Sequence, residues 1–174
     1  MSLARPDAPA DIRELTFGAH FVVWAFRALA LGRNDNPVVA RTFEDACSPV
    51  AEESRNAFIV FVRELQRLGR RRVRLAPPGC LTLTRDEQLI LAVFSAAQEG
   101  AHDRLEAHLT WLMGGAPRPP LAAAAAVVAQ ALEFNGHVIP APLVEPPRRQ
   151  DESNEKTAPG WARSSAGEAA GGVG

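Results

Sequence analysis

Residues 11–31 read DIRELTFGAHFVVWAFRALAL, and their spacing decides the fold. Ile12, Leu15, Ala19, Val22, Phe26 and Leu29 recur at intervals of three and four. That rhythm puts them on one stripe of an α-helix and on neither face of a strand. The stripe from Ile12 to Leu29 covers fewer than three heptads, too few for a free-standing coiled coil, so it must bury itself against other helices of the chain. His20 and Arg27 break the apolar run. A membrane-crossing helix needs about 20 mostly apolar residues, so no membrane insertion is expected.

Helix signals continue outward from this stretch. Asn36 followed by Pro37 supplies an N-cap with proline at the first helical position, and a helix is expected from there to about Ala46. Ser48 and Pro49 repeat that signal and announce a kink or a fresh helix running to Leu68, with Gly69 as its stop. AFIVFV at 57–62 is apolar on all sides, the pattern of a central helix surrounded by partners. Thr84 and Glu87 form a capping box opening a helix through LILAVFSAAQ. After Gly100 a further helix reaches about Met113, with Leu105, Leu109, Leu112 and His108 on one face. GGAPRPP stops it. LAAAAAVVAQALEF at 121–134 is a last helix with a small-residue face, closed by Gly136. The expected fold class is all-α: a compact bundle of five or six helices over residues 11–139. Residues 1–10 are read as a flexible N-terminus. Residues 140–174 are rich in Pro, Gly, Ser and charge, bury almost nothing, and are read as a disordered tail in which Trp161 stands alone.

At 174 residues the chain suits one domain. Its 19 basic and 20 acidic residues leave a net charge of −1, so no global field draws it to nucleic acid or membrane. Cys47 and Cys80 are the only cysteines, too few for a disulfide framework. The first residues carry Asp7 and Asp11 without an apolar core, unlike a signal peptide. The protein is expected to be cytoplasmic.

Residues 70–98, RRRVRLAPPGCLTLTRDEQLILAVFSAAQ, with the Ala-rich last helix, resemble an uncharacterised family of small all-helical bacterial proteins. The resemblance spans residues 12–139. It implies a helical fold, and no assigned activity comes with it.

Chemical constellations are sparse. No serine lies in a G-x-S-x-G elbow and no glycine-rich phosphate loop is present, so no catalytic residue is assigned and no cofactor is expected. Cys80 is the candidate reactive thiol, because Arg72 and Arg74 share its connector and cations favour a thiolate. A small apolar role competes with that reading. Glu99 and His102 have the Glu-x-x-His spacing of di-iron bundles, but the second pair and further carboxylates are missing, so no metal site is assigned. The hairpin around Gly100 has tetratricopeptide-like spacings without a second repeat. Asp103 and Glu106 stand where a DNA-reading helix would need other residues.

What remains is arginine. From Arg55 to Arg74 there are seven arginines and one acid, Glu64. Arg63, Arg67, Arg70, Arg71, Arg72 and Arg74 are the candidate anion- or partner-binding residues. Some cations are expected where a helix ends, and Glu44, Asp45, Glu52 and Glu53 are available to pair with them. The first functional expectation is a non-enzymatic helical protein acting through protein–protein contact, regulatory or self-associating. The alternative is an anion-binding module for nucleic acid or an acidic surface. Nucleic acid is not favoured, since no exposed aromatics interleave with the arginines for base stacking. An enzyme with an unrecognised helical pocket is the third reading.

Overall fold

The computed structural model describes residues 10–142. A 3-10 turn at Ile12–Glu14 precedes six α-helices: α1 Phe17–Ala30, α2 Pro37–Cys47, α3 Ala51–Leu68, α4 Arg85–Gln98, α5 His102–Met113 and α6 Pro119–Phe134. The described residues include no strand; an antiparallel bridge joins Asp11 to Thr82. The all-α bundle is thus as expected. The readings for residues 1–9 and 143–174, Trp161 included, lie outside the described residues.

The helix starts have local causes. Asn36 accepts from the amide of Val38 with Pro37 at the first position. Thr84 and Glu87 make both bonds of the capping box. Two expectations shift. The first helix begins at Phe17 rather than Asp11, because the Thr16 hydroxyl caps the amide of Ala19 and also donates to the Val138 carbonyl. Of the two readings at Ser48 and Pro49, a kink or a fresh helix, the structure has the fresh helix, which begins at Ala51 and not at Pro49.

Ala19, Val22, Phe26 and Leu29 of the stripe are buried on α1, while Ile12, buried in the 3-10 turn, and half-buried Leu15 precede the helix. α3 packs chiefly on α6 and α2, and α4 on α5 and α6. Phe26, Phe43, Phe58, Phe61 and Phe94 meet in the core, the Phe58 and Phe94 rings stacked at 5.1 Å. Such aromatic contacts add about 0.5–1.5 kcal/mol each beyond area burial. α3 is not enclosed on all sides. A six-residue apolar run sweeps the whole helix circumference, so one of its members must face out, and Val60 does, 43% exposed. The helix buried along most of its length is α4. This matters for function, because the open face of α3 leads into the arginines.

Candidate functional site: the arginine end of the bundle

α3 stops at Gly69, where a Cβ would sit 2.5 Å from the Leu65 carbonyl oxygen; only glycine allows the chain to turn out this tightly. The amide of Arg70 then donates to the Met113 carbonyl at 2.8 Å. Gly114, in the left-handed region at φ +65°, ends α5 against Arg70 and Arg71.

From there the connector alternates. Arg70, Arg72 and Arg74 are exposed, while Arg71, Val73 and Leu75 are partly buried, the period of two that an extended chain imposes. Two buried acids at the start of α4 hold it. Asp86 receives both terminal nitrogens of Arg71, one at 3.0 Å, and the amide of Arg74 at 2.7 Å. Glu87 accepts from the amides of Ala76 and Thr84 and from the Arg27 guanidinium. The Thr84 hydroxyl donates to the Arg74 carbonyl at 2.7 Å. Arg71 also stacks 5.4 Å over the Trp111 ring, a cation–π contact.

The seven arginines therefore divide by role. Arg55 donates to the Asn34 carbonyl in the turn between α1 and α2. Arg71 is a clamp on Asp86. Arg63, Arg67, Arg70, Arg72 and Arg74 are exposed, and none has a carboxylate within ion-pair distance among the described residues. Pairing of the cluster with the stretch from Glu44 to Glu53 does not occur. Glu52 and Glu53 lie in the first turn of α3, while the arginines gather at its last turn and beyond. With a rise of about 1.5 Å per residue, the two ends are roughly 25 Å apart. Among the described residues the surplus charge is not neutralised.

Two concavities flank the connector. One of about 240 Å³ has an apolar floor of Phe26, Ala30, Leu65, Val73 and Leu75. The other is open, and Arg72, Arg74 and Arg85 stand around it.

The remaining candidates separate from this end. Glu99 accepts from Arg104 and Ser95, and the Arg104 hydrogen bond holds its carboxyl below the usual range; His102 is exposed. No group of three or more His, Cys, Asp or Glu is gathered for a metal among the described residues. Cys80 is half-buried, its Sγ 3.7 Å from the Thr82 carbonyl. His108 is buried, with no partner for Nδ1 among the described residues; burial, then Arg104, pushes its pKa down. Arg27, Asp86 and Glu87 were not singled out from sequence as site residues, yet they position the arginines. The signal that finds Glu87 is the capping box; nothing local marks Arg27 as its partner.

Searches against protein-family models, curated proteins and solved structures returned no match. Among the described residues, no helix is long and apolar enough to cross a membrane.

Proposed function

We propose that this protein is a non-enzymatic helical module that acts through protein–protein contact, receiving an acidic segment of its partner on Arg63, Arg67, Arg70, Arg72 and Arg74. The observation that carries this is the set of five exposed guanidinium groups without an internal counter-charge among the described residues. Arginine forks suit carboxylates, which they bind two hydrogen bonds at a time. Val60 and Leu68, exposed on the same helix, add apolar area that a protein partner would cover and a polyphosphate would not. A cytoplasmic setting accords with two free cysteines, and membership of a bacterial helical family belongs to the same proposal.

Nucleic acid is the competing ligand. Phe17, the exposed aromatic of α1, begins the helix, about 20 Å along the axis from Ala30, which borders the recess beside Arg71 and Arg72, too far to stack bases held by the arginines. Titration of the protein with a poly-glutamate peptide, duplex DNA and anionic vesicles, each at about 50 and about 200 mM salt, tests the proposal. Salt-dependent binding of the peptide, abolished by Arg70→Ala/Arg72→Ala/Arg74→Ala, is the expected result. DNA or vesicle binding without peptide binding overturns it.

A further inference from the structure

We infer that the acidic partner binds as an extended strand, adding to a free backbone edge of the connector at residues 72–75; the inference rests on the arginine surface proposed above. In an extended chain the amide and carbonyl of one residue point to one edge, and those of the next residue to the other. The connector follows this rule. The amide and carbonyl of Arg74 both bond toward α4, to Asp86 and the Thr84 hydroxyl, and the amide of Ala76 bonds to Glu87 on the same side. Val73 and Leu75 then present their amides to the opposite edge. Among the described residues those two amides have no acceptor.

Val73 and Leu75 line the recess of about 240 Å³. Its walls are Phe26 and Ala30 of α1, Leu65 and Gln66 of α3, and the connector itself, with no residue of α4. Gln66 bonds to the Ala30 carbonyl and ties the two helices together there. The volume lies below the about 300–1,000 Å³ of pockets that engulf a drug-sized ligand, and it suits individual side chains better. A strand added here would send alternate side chains two ways. One set meets the outward pair Arg72 and Arg74, spaced about 6.6–6.8 Å apart like alternate residues of any strand, with Arg70 at the bend beside them. The other set enters the recess. The chemistry selects a segment in which acidic and apolar residues alternate, bound by strand addition. The connector already accepts such pairing further on, where Ile12 donates to the Leu81 carbonyl and Leu83 to that of Ala10.

The test uses the full chain, isotopically labelled, and a synthetic peptide of alternating Glu and Val. Amide exchange read by NMR should slow on the order of tenfold or more at Val73 and Leu75 on saturation, with no comparable change at Arg74 and Ala76. N-methylation of either all the Glu or all the Val amides of the peptide should weaken binding on the order of tenfold for one set only, the sensitive set reporting strand direction. Arginine-dependent binding without protection at Val73 and Leu75, or equal sensitivity to both methylation patterns, overturns strand addition and leaves the arginine surface standing. Failure of every acidic peptide to bind overturns both.

Discussion

Glu87 accepts from Arg27 Nε at 2.6 Å and from its Nη2 at 2.9 Å, with the two side chains only 2% and 11% exposed. The same carboxylate accepts from the amides of Ala76 and Thr84, so one residue fastens α1 and both arms of the connector. Arg27 further donates to the Cys80 carbonyl. The frame that presents the exposed arginines is therefore an ionic one, built at the start of α4.

Breaking this pair from one side leaves a lone charge in a dry place. Arg27→Met or Glu87→Leu should each cost about 3–5 kcal/mol in chemical denaturation. The double variant buries no unpaired charge and should cost less than the sum of the two.

Neighbouring arginines should behave differently. Arg71→Ala strands the buried Asp86 carboxylate and removes the stacking on Trp111, a loss of about 1–3 kcal/mol. Arg72→Ala and Arg74→Ala remove exposed side chains and should stay within about 0.5 kcal/mol. Denaturation midpoints of the three variants check the division between the clamp and the surface.

Stability should also depend on His108. Its pKa is lowered in the fold, first by burial and then by Arg104, so the unfolded chain binds the proton more readily. The contribution is fully present above the ordinary histidine value of about 6.5 and is lost as pH falls from there toward the lower folded value. Unfolding free energies of wild type and His108→Leu across about pH 5 to 8 should show a flatter acid limb for the variant.

The two cysteines should be distinguishable by alkylation. Cys47 is buried and its thiol is pushed up to about 11 by that burial, against a smaller opposing effect of Ser54; the thiolate is the reactive form. Half-exposed Cys80 should label in the native protein, and Cys47 only after denaturation. Mass measurement of labelled peptides reads this directly.

How much of this was legible in the sequence varies with range. The start of α4 was, because Thr84 and Glu87 carry the capping signal within four residues, and so was the stripe from Ala19 to Leu29, written in one helix's own spacing. The true start of α1 was not, since Thr16 gains from a bond to Val138, a residue 122 positions away. The open face of α3 was missed because contiguous apolar residues do not say which of them lacks a neighbour. Of the site, the arginine surplus was visible, but its division was not. Arg71 and Arg72 are identical in sequence terms, and only the extended backbone, held by Asp86 and Glu87, turns one inward and the other out. Glu52 and Glu53 were plausible partners until the length of α3 separated them from the arginines, and Glu44 lies with Glu52 near the start of that helix.

The measurement that bears most directly on the central claim is a calorimetric titration of a poly-glutamate peptide into wild type and into Arg70→Glu/Arg72→Glu/Arg74→Glu, with matched unfolding midpoints as the control for folding. Binding to wild type should weaken steeply between about 50 and about 200 mM salt, and the charge-reversed variant should give no detectable heat. Equal binding by both proteins, or none by either, would contradict that claim.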